Sequence, residues 1–320
     1  MEWTRLGLVF LDIVLPLLTG YLLKTHNIIS RQTCGRLIQF NVVVFCTFIN
    51  FISFWGLKLS ASLLLLPLAS ILLTVVPGLI GYLFFADAFR DELDRGAYII
   101  SSMLSNIGTL SGLSAFILFG EPGFAYVQLV AAPQNCLMVA VCFPLARFFV
   151  ARHDAQLAGT RLRLSVREMF FTINQIALLG MLGGVLLQSL DIPRPDILGT
   201  VFHYMVHILA WVSLLPVGYL IDLGSAGKYY GSVRNILFQR FLLVPVLFYL
   251  PFRAAFRDPV VFGSAMVCAF SPAAINAVIT AQLYKLNVDL TIAGFLLTTV
   301  VYVLAVFPLL FLASRFWGFL

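Results

Sequence analysis

Residues 61–86, ASLLLLPLASILLTVVPGLIGYLFFA, carry no charged side chain. A helix of roughly 20 such residues crosses the hydrocarbon core of a bilayer. In that solvent every backbone N–H and C=O must be satisfied inside the fold, which leaves only helices or closed barrels. The run is far too long for a barrel strand of roughly 9–11 residues. It is also not alone. Apolar runs recur at about 5–23, 37–57, 61–86, 97–119, 124–150, 169–190, 197–221, 235–252, 259–284 and 289–314, ten in all. With 61% apolar and 11% charged residues, the chain lies well below the roughly 25% charge of soluble domains. The expected class is an all-α integral membrane protein of ten transmembrane helices, here called spans 1 to 10.

The charges then work as topology signals. The net charge of +6 comes from basic residues scattered over short loops, which argues against nucleic-acid binding. With ten spans, fourteen of the twenty Lys and Arg fall on the side that receives the loops after odd-numbered spans. The positive-inside rule makes that side cytoplasmic and places both termini outside. The first apolar run is too long for a signal-peptide core, so it reads as a span. Without a transit peptide and with minimal loops, the expected location is a multi-pass position in a prokaryotic inner membrane. Five cysteines with no CxxC spacing read as small buried hydrophobes.

The chain repeats itself. LTGYLL at 18–23 is followed by Asn27-Ile28, and LGGVLL at 182–187 is followed by Asp191-Ile192, at an offset of 164 in both parts. Five spans per half reverse the membrane sense of the second copy, and inverted repeats mark secondary transporters. The organisation expected is a first five-helix repeat at 1–150, a basic cytoplasmic linker at 151–168 and a second, inverted repeat at 169–320.

Two spans are spoiled in their middles. Span 4 carries SNIGTLSGLSAFILFG at 105–120, with Asn106, Gly108, Thr109, Ser111, Gly112 and Ser114. Span 9 carries AFSPAAINAV at 269–278, with Ser271, Pro272 and Asn276. Each glycine costs a helix about 1 kcal/mol relative to alanine, and proline removes a donor and clashes with the preceding turn. A broken helix survives in lipid only where protein or a wet cavity answers the freed backbone. Breaks at matching places in two inverted halves point to a transport site, where half-helix N-termini attract anions. Small residues for tight helix packing are the plainer explanation of either patch alone.

These residues carry a resemblance. Asn106 with Gly108, Phe119-Gly120-Glu121-Pro122-Gly123, Pro133-Gln134-Asn135, Pro272 with Asn276, Ala281-Gln282, and Thr298-Thr299 with Pro308 occur in an order that resembles the auxin efflux carrier family, related to bile-acid sodium symporters. The resemblance implies a 5+5 inverted repeat with broken, crossing spans 4 and 9, a panel-like scaffold and a moving transport domain. It also implies a small organic anion as substrate, such as auxin or a dicarboxylate like malonate or malate. The alternative it leaves open is a sodium-coupled symporter of bile-acid-like organic anions. Where family members have a proline in span 4 this chain has Leu113, so its break is expected to hinge on Gly108 and Gly112.

The expected substrate site comprises Asn106, Gly108, Thr109, Ser111, Gly112, Ser114, Gln134, Asn135, Pro272 and Asn276. Asp12, His203, His207 and Gln282 are candidates for coupling to a proton or sodium ion. His203 and His207 share a helical face, yet no HExxH glutamate or third ligand accompanies them, so no metal is expected. Gln128 joins Gln134 and Asn135 as a residue that could face the crossing. Asp222 and Arg240 read as side chains snorkelling to the cytoplasmic interface, and DAFRDELDR at 87–95 as a solvated linker. No GxSxG or paired intramembrane aspartates appear, so no enzyme and no cofactor are expected. The partners expected are the solute, the lipid bilayer and, as a candidate, a second copy of the chain.

Overall fold

The computed structural model describes residues 10–57, 61–155, 176–220 and 226–316. Among the described residues every regular element is helical, and β pairing is confined to one isolated bridge between Ser105 and Ala273. The helical rods are α1 (10–25), α2 (31–55), α3 (61–88), α4 (Glu92–Met103), α5 (107–119), α6 (121–155), α7 (Ile176–Ser189), α8 (Ile197–Leu220), α9 (226–255), α10 (Pro259–Ala269), α11 (Ile275–Tyr284) and α12 (288–316). Span 4 is thus α4 plus α5, and span 9 is α10 plus α11. Five stretches are long and apolar enough to cross a membrane: Leu65–Ala88, Ile107–Ala131, Ile197–Pro216, Gly227–Ala255 and Val288–Ser314. The second of these turns sharply at Gly120, whose φ of 73° suits glycine, so α5 and α6 are separate rods.

Helix starts follow local chemistry. Asp91, Asp258 and Asn287 cap α4, α10 and α12 by accepting hydrogen bonds from the first-turn N–H groups of Leu93, Val260 and Leu290. Pro259 follows its cap at a position where a missing N–H costs nothing. Because Asp91 caps, α4 begins within the predicted charged linker rather than at residue 97. That segment is tied down instead of merely solvated. Arg95 pairs with Asp87, Arg152 with Glu92, and His153 with Asp91. Of the predicted basic linker only 151–155 are described, and they continue α6.

Two packing groups emerge. In the first, α1 lies along α8 and α2 along α7. Both contacts rest on glycine. A Cβ at Gly20 would run into the Leu215 carbonyl and the Tyr219 nitrogen, and one at Gly184 would run into the Phe51 carbonyl and the Trp55 nitrogen. Gly20 and Gly184 stand 164 residues apart, as do Phe51 and Leu215, and Trp55 and Tyr219. In the second group, α3 packs on α4 and on the stretch Gly112–Ala131, α5 on α10, α9 on α12, and α12 on α4 and α11. An apolar seam of Ile49, Ile52, Leu110, Leu113, Phe202 and Val206 joins the groups.

The outer surface is apolar as well. Leu64, Leu68, Leu72, Leu79 and Leu83 are exposed on α3, and Leu179, Leu182, Leu186 and Leu190 on and just after α7. Leucine stripes at helical spacing with no protein to cover them suit a lipid solvent. Two expectations need correction. Cys136 is exposed, unlike Cys34, Cys142 and Cys268, which are buried. The helix of span 8 begins at residue 226 rather than 235, because GKYYGSVRN is polar enough to look like loop while still helical. That shift moves Arg240 from the end of a helix to its middle.

Candidate functional site

α4 stops at Met103, and Leu104 turns into extended backbone (φ −85°, ψ 123°). α10 stops at Ala269, and the chain is non-helical until Ala274 (φ −87°, ψ 151°) hands over to α11. The two interruptions cross and pair. Asn106 N–H donates to the Pro272 carbonyl at 2.8 Å, and Ala274 N–H donates to the Leu104 carbonyl at 2.9 Å. Each break therefore supplies the partners that the other lost, which solves the problem of freed backbone in an apolar interior. Pro272 has no donor to satisfy and contributes its acceptor.

Neighbouring helices complete the accounting. Gln134 Nε2 donates to the Ser105 carbonyl at 2.7 Å and Gln128 Nε2 to the Gly108 carbonyl at 2.8 Å. Thr298 Oγ1 accepts from Ala273 N–H at 3.0 Å and donates to the Gly294 carbonyl at 2.8 Å. The break is not hinged by glycine as expected. Gly108 and Gly112 lie beyond it, and a Cβ at Gly112 would press on Gln128 and Phe124. Gly112 lets α6 approach, whereas a Cβ at Gly108 would make only ordinary contacts; the pairing of extended Leu104 and of Asn106 with the other break makes the interruption.

The largest departure from expectation is Arg240. It does not snorkel: it is 1% exposed, in the middle of α9. A wide turn at Gln239–Leu243 holds Gln239 and Arg240, both buried, and such turns often mark functional positions. The Arg240 guanidinium donates to Ser105 Oγ, to the Leu104 carbonyl at 2.9 Å, to the Ser102 carbonyl at 2.6 Å and to the Ser101 carbonyl at 3.2 Å. The Ser101 and Ser102 carbonyls are the C-terminal end of α4, where a helix leaves carbonyls unpaired and carries about half a negative charge, and Leu104 and Ser105 follow directly on it. Gln239 beside it donates to the Pro77 carbonyl of α3. The described residues place no carboxylate against Arg240.

The structure gathers most of the predicted substrate residues at this crossing. Asn106 is buried in the break, and Asn276 sits half-buried in the first turn of α11. Neither side-chain amide has a hydrogen-bond partner among the described residues. Gly108 and Thr109 are half-buried at the start of α5, so the partly accessible residues here cluster at the N-termini of α5 and α11. Ser111 Oγ donates to the Val267 carbonyl at 3.3 Å. Ser114 Oγ donates to Leu110 and accepts from Tyr302, each at 2.7 Å. Those two serines tie α5 to α10 and α12. The backbone of Asn135 lies in α6; its side chain is outside those described.

The coupling candidates divide. Asp12 is buried, with His207 Nδ1 2.5 Å from its Oδ2, so α1 and α8 share a polar contact. The His203 ring lies 5.1 Å from that of His207, and Phe116 of α5 is 5.8 Å from His203 and 6.1 Å from His207. Gln282 is exposed near the end of α11 and is not brought to the crossing. Asp222 lies outside the described residues. Set against protein-family models and curated protein sequences, the chain matches none. Sequence reasoning missed Arg240 and the donor–acceptor role of Thr298. The available signal for the first was the polar but helical stretch at 227–235, which lengthens span 8 and centres its arginine.

Proposed function

We propose that the chain is a secondary transporter that moves a small organic anion, auxin-like or a dicarboxylate such as malonate or malate, by alternating access at the crossing of α4/α5 and α10/α11. The observation that carries this reading is the crossing itself. Two half-helix N-termini meet there beside two amides, Asn106 and Asn276, that have no partner among the described residues. Each N-terminus bears about half a positive charge and free N–H groups. Asn106 and Asn276 offer amide donors, with Thr109 beside them.

The wider reading is a ten-crossing chain of two inverted five-helix repeats in a prokaryotic inner membrane, with both termini outside. It is supported by the 164-residue offset shared by the glycine contacts of Gly20 and Gly184. The resemblance to auxin efflux carriers supports the same reading, with α1, α2, α7 and α8 as scaffold and the remaining helices as the moving body. Asp12 and His207 would sit where scaffold meets α5, through Phe116. No catalytic step is assigned to the chain.

Reconstitution into liposomes tests this. Uptake of labelled dicarboxylates, with and without a proton or sodium gradient, is expected. Loss of a hydrogen bond to a charged group is worth about 1.5–3 kcal/mol, so Asn106→Ala and Asn276→Ala should each raise the half-saturating concentration roughly 10- to 100-fold. No flux of any small organic anion, or wild-type behaviour of both variants, overturns the site.

A further inference from the structure

We infer that Arg240 is a built-in cation, permanently occupying the oxygen cluster at the end of α4, so that the crossing carries fixed positive charge and holds its solute without a co-bound metal cation. Three backbone carbonyls and one hydroxyl converge on the guanidinium: Ser101, Ser102, Leu104 and Ser105 Oγ. In broken transporter helices, unwound carbonyls and half-helix C-termini are the groups that coordinate sodium. Here they are spent on the chain's own side chain. The guanidinium is delivered by a helix interior, at 1% exposure, and has no carboxylate partner among the described residues. Its Nε–H also finds no acceptor among the described residues.

The charge is thus only partly answered. About half a negative charge at the end of α4 faces a full positive one. In a low-dielectric interior that surplus extends over several ångströms, and Asn106 follows directly on Ser105. α3, which holds in the first half the place that α9 holds in the second, carries no Lys or Arg. Among the described residues no cation bonds to the end of α10, and Ser111 Oγ and the chain's own turn serve it instead. One break is charged and the other neutral. A single fixed cation favours a carboxylate that leaves its site with the surplus restored, with no ion to be rebound in each cycle. This consequence rests on the transport reading; the cation-independence of the site does not.

The test uses the full chain, purified in detergent, with thermal unfolding followed by tryptophan fluorescence in choline, potassium or sodium chloride at equal ionic strength. Wild type is expected to show the same midpoint in all three. Arg240→Ala should unfold at lower temperature in choline and recover saturably with sodium or with low guanidinium, either of which can enter the vacated oxygen cluster. Arg240→Lys should be less affected than Arg240→Met, and insensitive to sodium. A saturable stabilisation of wild type by sodium overturns the proposal, and this arm stands even if no variant folds. Equal behaviour of the Lys and Met variants also overturns it. In liposomes, anion uptake by wild type should persist when sodium and potassium are replaced by choline. Uptake that requires sodium sinks the inference, whereas absence of any uptake sinks the transport reading and leaves the unfolding result to decide this one.

Discussion

Gln134 shows how much one side chain contributes where a helix is broken. Its amide supplies the donor to the Ser105 carbonyl, which has left the helical ladder and is buried. Gln134→Leu would leave that acceptor unpaired in an apolar interior, at a cost of about 1–3 kcal/mol. Tyr302→Phe removes a bond of the same length, yet Ser114 keeps its bond to Leu110. Its expected cost is lower, about 0.5–1.5 kcal/mol. Thermal unfolding of both in detergent checks the order, and an inverted order would show that the Ser105 carbonyl is satisfied in another way. Gln134 was legible in the sequence, being an amide beside a proline in an apolar run. Arg240 was not, since its meaning depends on where its helix begins and on carbonyls more than 130 residues away.

At the scale of elements, the breaks were legible and their cause was not. Glycine and proline density located them to within a turn. The hinge itself is Leu104 to Asn106, which contains neither glycine nor proline, because its non-helical form is stabilised by pairing with 272–274. The helix pairs α1–α8 and α2–α7 invite a direct test. Gly20→Val and Gly184→Val each force a side chain against backbone that cannot rotate away. Overpacking costs about 1–3 kcal/mol, and both variants belong at the upper end. Gly35→Val in α2, where a Cβ meets nothing, should leave the unfolding midpoint nearly unchanged. Opposite behaviour of Gly20 and Gly184 would separate two contacts that the 164-residue offset makes equivalent.

At the scale of the whole molecule, the proposed orientation predicts opposite faces for two exposed loops. In a background with the native cysteines replaced, Asp191→Cys should react with a membrane-impermeant maleimide on intact cells. Arg90→Cys should react only after permeabilisation. Labelling of both from one side would break the ten-crossing count. The sequence by itself determined the solvent, the helical class, the approximate extent of most helices and the two places where helices fail. It could do so because apolar run length and residue propensity are local quantities. The tertiary structure decided what each break pairs with, and it turned an arginine read as interfacial into a buried charge on the end of α4. In an apolar interior every freed carbonyl needs a donor, and the fold supplies it from residues that no local pattern connects.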